Sequence, residues 1–195
     1  MRLLPACLLA LAVAACSPAG EDGKAGAPAL SAEEQAELAG LEALAAQVEA
    51  DRADVVGFEV LQARYTFEPD PRTGHPQPAV HVALANGSRL TVEKLTVHAS
   101  FLRAGEPGPW HAQEFHLPVA GGLAPGAGTA LRMVPASDSD WALKAPPAEV
   151  EVIARVVPLA LEASDGRRLL TPHAFGPDKQ ARLQALRGGG ESGAP

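Results

Sequence analysis

The sequence predicts a mainly β protein in which an amphipathic α-helix precedes a single antiparallel β-sandwich and a short helix follows it. From Val55 onward, apolar and polar residues alternate with the period of two that half-buried strands show. Turns rich in Gly, Pro, Asn and Asp separate about seven such runs at short intervals. No helical pattern lies between the runs, which excludes a parallel α/β fold.

The first element, residues 1–15, has the three parts of a secretory signal peptide. Arg2 is followed by an apolar run that ends at Val13, and two small alanines then precede Cys16. An apolar run of about 11 residues is too short to cross a hydrocarbon core, which needs roughly 20. The sequence therefore predicts export, with cleavage immediately before Cys16.

The residues around this cleavage position, Val13-Ala14-Ala15-Cys16, resemble the lipobox of bacterial lipoproteins. The resemblance implies a diacylglyceryl group on Cys16, an acylated amino terminus and a stable membrane anchor, since several lipid chains hold a protein where one does not. Lipoproteins of enteric type with aspartate in the next position stay in the inner membrane. Ser17 therefore implies the outer membrane, with the domain facing the periplasm. The alternative is an ordinary secretory signal with a free cysteine nearby.

Two segments connect the anchor to the sandwich. Residues 16–30 are small and polar and predict a flexible tether. Residues 31–53 predict an amphipathic helix, because Ser31 and Glu34 have the spacing of a capping box and apolar residues recur three and four positions apart. This helix either packs against the domain that follows or serves as a coiled-coil or partner-binding helix.

The β-sandwich is predicted over residues 55–172. The first strand changes the phase of its alternation, which predicts a β-bulge near Val60, and Pro158 interrupts the last long strand. Residues 69–78 carry four prolines and a glycine and predict a loop, and residues 121–126 predict a turn. The predicted strands cover residues 58–67, 80–84, 95–101, 115–119, 129–133, 150–161 and 168–171.

The C-terminal segment, residues 173–195, predicts a short helix over residues 177–186 with Leu183 and Leu186 directed inward. A frayed tail over residues 188–195 completes the chain.

Three stretches resemble the small immunoglobulin-like domains of bacterial envelope lipoproteins, of which the FxLyD-type domains are one group. Residues 81–88 (HVALANGS) are similar to a strand and its Asn-containing turn, residues 95–102 (LTVHASFL) to the next strand, and residues 123–126 (LAPG) to a later turn. The resemblance implies an immunoglobulin-like sandwich and an envelope module that binds or spaces other molecules.

Charge and cysteine content exclude several kinds of chemistry. The chain has a formal net charge of −7, and loss of Arg2 with the signal makes it one unit more negative. Such a balance disfavours nucleic acid as a partner. Cys7 leaves with the signal and Cys16 is the anchor, so the exported domain has neither a disulfide nor thiol chemistry.

Histidines are the candidates for a metal site, because imidazole binds copper and zinc. His81 and His98 lie opposite the apolar faces of their predicted strands, and His111 and His116 flank the entry to the fourth strand. Outward histidines on neighbouring strands could meet, but the chain has no H-x-H or H-E-x-x-H spacing. Solvated surface side chains are therefore the favoured interpretation.

Other candidate binding residues occur in loops. Asp138-Ser139-Asp140 could supply oxygen ligands to calcium, although turn and capping roles explain the same residues. Trp110 and Trp141 could be exposed contacts for a glycan or a protein, or could close the ends of the sandwich core.

Motifs of catalysis are missing from the sequence. It has no G-x-S-x-G and no phosphate-binding glycine loop. We therefore expect no enzymatic activity and no cofactor. The sequence predicts a membrane-anchored, non-catalytic binding or scaffolding lipoprotein whose partner is an envelope protein or glycan. The alternative is a periplasmic lipoprotein that binds copper or zinc through surface histidines.

Overall fold

The computed structural model describes residues 30–191 of the chain, with side chains as far as residue 188. The predicted signal, Cys16 and nearly all of the tether lie outside these residues. Among the helices that are described, none combines the length and the apolar composition needed to span a bilayer.

Two antiparallel sheets form the body of the molecule, and the predicted fold class is confirmed. A three-stranded sheet, called sheet A, has the order β1-β2-β5, and a four-stranded sheet, called sheet B, has the order β4-β3-β6-β7. Every strand pair is antiparallel. The strands are β1 (Phe58–Pro69), β2 (Pro76–Asn86), β3 (Val92–Arg103), β4 (Pro109–Leu123), β5 (Gly128–Met133), β6 (Val152–Ala163) and β7 (Arg168–Leu170).

The core lies between the two sheets and is built from alternate residues of their strands. β2 over residues 80–86 and β3 over residues 95–101 are the clearest cases, because every second side chain is buried there and those between are half-buried. Burial of these side chains is the main source of stability for a domain of this kind. The largest side chains that are fully buried here are Trp141, Phe101, Leu84, Leu95, Leu161 and Leu186.

The predicted bulge in β1 is confirmed. Val60 pairs with Leu84 and Gln62 with Ala83, so Leu61 is an extra residue without a partner on β2. The bulge changes which face each later residue occupies. This explains the change of phase in the sequence.

The predicted loop over residues 69–78 was too long. β1 continues to Pro69 and β2 begins at Pro76, and these two prolines pair with each other. Pro76 and Pro78 have no backbone N–H to donate. β5 pairs with β2 only from Val80 onward, so no hydrogen bond between β2 and β5 is lost at these prolines. The turn itself is closed by Asp70, whose carboxylate accepts hydrogen bonds from the backbone N–H groups of Arg72 at 2.6 Å and Thr73 at 3.1 Å.

The predicted turn over residues 121–126 also differs from the structure. β4 runs to Leu123, and Gly121 and Gly122 lie within it with φ of 76° and 73°. They belong to an irregular stretch where the pairing with β3 jumps. The reversal of the chain follows at residues 124–127, where Gly126 has a φ of 76°.

The N-terminal helix, α1 (Ala32–Val55), begins with the predicted capping box. Ser31 Oγ accepts from the Glu34 N–H at 3.2 Å, and the Glu34 carboxylate accepts from the Ser31 N–H at 2.9 Å. Its apolar side faces the molecule, and Val48 and Val55 are buried. The helix therefore packs against its own domain, the first of the two alternatives left open by the sequence.

A 3-10 helix (Pro172–Phe175) and α3 (Pro177–Glu191) follow β7. Leu183 and Leu186 are buried as predicted. The helix continues past its predicted end into the segment expected to be a tail. Two ion pairs join α3 to α1, Arg182 with Glu37 at 2.6 Å and Arg187 with Glu42 at 2.9 Å.

Candidate functional site

The most prominent concave surface lies along one open side of the sandwich. β1 is the edge strand of sheet A, and β7 pairs only with residues Ala160, Leu161 and Glu162 of β6. The first half of β6 is therefore a free edge of sheet B. These two free edges flank a series of surface depressions, which we call the edge groove, lined by residues 55–60 and 65–67 on the β1 side and by residues 148–152 and 156–158 on the β6 side.

Three depressions make up the edge groove. The largest, about 450 Å³, lies where α1 meets β1 and is also lined by Pro172 and His173 of the 3-10 helix. A neighbouring depression of about 270 Å³ shares Phe58, Pro158 and His173 with it. The third, about 360 Å³, lies near the far end of β1, between residues 65–67 and 148–152.

The wider end of the groove is shaped by the junction between α1 and β1. Val56 ends the helix, and Gly57 turns the chain into β1 with a φ of 84°. The opposite wall is fixed by Thr171, whose buried hydroxyl donates a hydrogen bond to the Pro158 carbonyl. One wall is therefore held by backbone geometry and the other by a buried side-chain hydrogen bond.

Val56 lines the wide end of the groove and is 64% exposed. Leu61 is 61% exposed and Ile153 is 46% exposed, but neither side chain lines one of the three depressions. Leu61 is exposed because the bulge leaves it outside the regular alternation of β1. Exposed apolar side chains that line a concave surface are typical of binding sites.

The charged residues of the groove are mainly acidic. Glu59, Glu149 and Glu151 line it, and all three are exposed. Within residues 30–188, none of these carboxylates forms a salt bridge. Arg52, the cationic lining residue at the wide end, is paired with Glu49 at 3.1 Å.

The four candidate histidines do not come together. His81 lies on the outer face of sheet A, since its neighbours Val80 and Val82 are completely buried. Its Nε2 atom hydrogen-bonds to the Glu68 carboxylate, which also accepts from Arg132 Nε at 2.9 Å. The other three histidines belong to sheet B. One metal ion could not reach His81 and the outward histidines of sheet B together.

Sheet B separates its own histidines as well. His98 and His116 point outward, where Thr96 Oγ1 lies 3.1 Å from His116 Nδ1. His111 points inward and stacks on Phe101, with ring centroids 5.8 Å apart. In the part of the chain that the structure describes, no group of three or more His, Cys, Asp or Glu side chains could hold a metal ion.

The two tryptophans lie at one end of the core. Trp141 is 1% exposed and contacts Phe101 at a centroid distance of 5.0 Å, so it closes the core and offers no exposed ring face. Its Nε1 atom donates to Tyr65 Oη at 3.4 Å, and burial raises the pKa of the tyrosine. Trp110 is half-buried against the same aromatic cluster.

The Asp138-Ser139-Asp140 segment has a capping role. Ser139 Oγ accepts from the Ala142 N–H at 3.2 Å at the start of α2 (Asp140–Lys144), a helix that the sequence did not predict. Lys144 donates to the Asp140 carboxylate at 2.7 Å and lowers the pKa of Asp140. The Asp140 carboxylate is therefore already paired with Lys144.

No protein-family model matches the chain, and no curated protein matches it. The solved structures that are similar over part of its length include two X-ray structures. A hypothetical protein from Peptoclostridium difficile 630 covers 67% of this chain and 92% of its own, with 7% identity and a TM-score of 0.44. A structural-genomics target solved by X-ray crystallography covers 61% of this chain and 82% of its own, with 12% identity and a TM-score of 0.32.

Sequence reasoning did not find the edge groove. The sequence does mark the two strands that form the groove, through the change of phase at Val60 in β1 and the interruption at Pro158 in β6. What could not be deduced is that the edges of these strands lie side by side. That arrangement depends on packing between residues about a hundred positions apart in sequence, such as Phe58 and Val156.

Proposed function

We propose that this chain is a membrane-anchored lipoprotein of the cell envelope whose sandwich domain binds another envelope component without catalysis. The edge groove is the observation that carries the binding role. It combines the exposed side chain of Val56, two free strand edges and unpaired carboxylates along one side of the sandwich. The anchor is supported by the signal-like segment and by the cysteine that follows Val13-Ala14-Ala15.

The membrane anchor is tested by metabolic labelling with a radioactive fatty acid. We expect the wild-type chain to incorporate label and to fractionate with outer membranes, and Cys16→Ser to lose both properties. Cys7→Ser is the matched control, because Cys7 lies inside the predicted signal. Labelling that persists in Cys16→Ser would refute the anchor at this position.

The binding role is tested by site-specific photo-crosslinking in intact cells. A photoreactive amino acid at Val56 lies in the groove, where this residue is 64% exposed, whereas one at Leu143 lies on α2 with a comparable exposure of 72%. We expect a discrete crosslinked product from position 56 and none from position 143. Equal products from both positions, or none from position 56, would contradict the proposed role.

A further inference from the structure

We infer that Asn86 is a chemical modification site that stays inert while the domain is folded and deamidates when the domain unfolds. Asn86 is the only asparagine in the chain, and Gly87 follows it directly. Asparagine before glycine is the pair most prone to deamidation, because glycine has no β-carbon to hinder attack by its backbone nitrogen. Asn86 lines none of the three depressions of the edge groove, so this site is separate from the proposed binding role.

The reaction joins two groups that are adjacent in the chain. The Gly87 backbone nitrogen loses its proton and attacks the side-chain amide carbon of Asn86. A C–N bond forms, the amide nitrogen of Asn86 leaves as ammonia, and a cyclic succinimide remains. Water then opens the ring at one of its two carbonyl groups, which gives aspartate or isoaspartate. The net change is the uptake of water and the release of ammonia, and no other reactant takes part.

The folded domain immobilises the side chain that must react. Asn86 Nδ2 donates to the Leu90 carbonyl at 2.8 Å and to the Leu123 carbonyl at 2.7 Å. Its Oδ1 atom accepts from the Ser88 N–H at 3.1 Å and from the Ser88 hydroxyl at 2.6 Å. Because the residue is 1% exposed, rotation of the side chain would break these bonds without replacement by water.

The attacking nitrogen is held as well. The Gly87 N–H donates to the Gly57 carbonyl at 2.8 Å, and a facing carbonyl oxygen opposes the negative charge that develops when the nitrogen loses its proton. The Asn86 N–H donates to the Ala127 carbonyl at 2.9 Å, and the Asn86 carbonyl accepts from the Gly126 N–H at 2.6 Å. Both reacting groups are therefore fixed until this end of the domain opens.

Deamidation would make unfolding irreversible. Aspartate at position 86 cannot donate to the carbonyls of Leu90 and Leu123, and it buries a carboxylate in place of a neutral amide. Isoaspartate adds a carbon atom to the main chain at the end of β2, where Asn86 pairs with Phe58. A chain that reacts while it is unfolded therefore refolds to a less stable domain, and a reversible transition becomes a permanent loss.

The rate of deamidation in the full-length chain, purified in detergent, tests this role of the fold. The chain is kept at one mildly alkaline pH in a series of urea concentrations. Trypsin cleavage after Arg72 and Arg89 releases residues 73–89, which contain Asn86, and mass spectrometry of this peptide gives the deamidated fraction over time. Tryptophan fluorescence gives the unfolded fraction of the protein at each urea concentration.

We expect the rate to follow the unfolded fraction, so that it is about a hundredfold or more lower without urea than above the unfolding midpoint. Gly87→Ala is the control in concentrated urea, where its effect on the fold no longer matters. Its β-carbon should slow the reaction several-fold. After removal of urea, the deamidated chains should melt at a lower temperature than chains that have not reacted.

Each part of the inference has its own contrary result. Equal rates without urea and above the midpoint would show that the fold does not protect Asn86. A rate that stays constant as urea rises toward the midpoint would assign the reaction to a local motion and overturn its link to unfolding. An unchanged rate in Gly87→Ala would place the reaction elsewhere in the peptide, at Gln77. Deamidated chains that refold with the unreacted melting temperature would overturn the permanent loss.

Discussion

Gly57 and Gly87 are in direct backbone contact where α1 turns into β1. The Gly87 N–H donates to the Gly57 carbonyl at 2.8 Å. A Cβ atom on Gly87 would lie 2.6 Å from the Gly57 oxygen, and one on Gly57 would lie 2.9 Å from the Gly87 carbonyl group. This contact fixes the wide end of the edge groove, and neither chain segment has room for a side chain.

Alanine at Gly57 or Gly87 should destabilise the domain. Two effects can be separated: a steric clash at both positions, and at Gly57 also a positive φ that alanine disfavours. Gly87→Ala suffers the clash alone, and we expect a loss of about 2 kcal/mol or more in the free energy of unfolding. Gly74→Ala is the control for backbone conformation, because Gly74 has a φ of 73° and open space around it, and we expect about 1 kcal/mol.

Gly57→Ala combines both effects and should be the most destabilising of the three, as measured by urea denaturation. If Gly87→Ala unfolds at the same urea concentration as the wild type, the close contact is not a constraint on the fold.

Asn86 ties together two loops, the one between β2 and β3 and the one between β4 and β5, and should tolerate almost no substitution. Its Nδ2 group donates to the Leu90 carbonyl at 2.8 Å and to the Leu123 carbonyl at 2.7 Å. Its Oδ1 atom accepts from both the backbone N–H and the hydroxyl of Ser88. The residue is 1% exposed, so water cannot replace these bonds.

We expect Asn86→Ala to lower the free energy of unfolding by about 2–4 kcal/mol, because it leaves several buried backbone groups without partners. Asn86→Asp should be at least as destabilising, since a carboxylate cannot donate to the two carbonyls. Ser88→Ala removes one hydroxyl and should cost less than either. Thermal melting of the three variants checks the order, and a mild effect of Asn86→Asp would contradict it.

The fold was largely predictable because local patterns determine most of it. The capping box at Ser31 and the changed phase around Val60 depend on residues that are close in sequence. β1 and β2 are longer than predicted, because they extend to Pro69 and start at Pro76. Whether a strand can contain proline depends on which neighbouring strand pairs with it at that residue. That information is non-local and lies outside any short window of sequence.

The candidate site was less predictable for the same reason. The sequence around Trp141 does not determine whether its side chain is exposed or buried. It is buried because α2 packs on the aromatic cluster of Tyr65 and Phe101. His81 and His98 were expected to face outward, and they do so on different sheets. Strand order, which the alternation of residues does not encode, separates the two histidines and brings β1 beside β6.

Glu68 should give the domain a measurable dependence on acid pH. Hydrogen bonds from His81 and then Arg132 lower the pKa of Glu68 below its usual range. A carboxylate whose pKa is lower in the folded state stabilises the fold above its unfolded pKa, and that stabilisation is lost as the pH falls through the folded pKa.

The measurement is the melting temperature of the wild type and of Glu68→Gln at pH values from about 7 to about 2, a range that brackets the titration of a carboxylate with a lowered pKa. We expect the wild type to be the more stable at neutral pH and the difference between the two proteins to shrink as the pH falls. A difference that is constant over this range would show that Glu68 titrates as it does in the unfolded chain.

Asp51 explains why the N-terminal helix is part of the domain. It is 7% exposed on α1, and its carboxylate accepts from the backbone N–H of Leu170 at 2.8 Å and from Gln47 Nε2 at 2.9 and 3.0 Å. Leu170 belongs to β7, one of the two edge strands of sheet B. The helix thus satisfies a main-chain donor at that edge and covers it, as proteins commonly do with edges that would otherwise pair with another chain.

Asp51→Ala should therefore loosen the helix as well as destabilise the fold, with an expected loss of about 1–3 kcal/mol for the buried donor left without a partner. Asp54→Ala is the matched control on the same helix, because Asp54 is half-buried and pairs with Arg167 at 2.8 Å near the surface, and we expect a loss of less than about 1 kcal/mol. Hydrogen exchange at the Leu170 amide separates the two variants: protection should fall sharply in Asp51→Ala and remain in Asp54→Ala. If the amide stays protected in Asp51→Ala, another group covers the β7 edge and the helix is not what shields it.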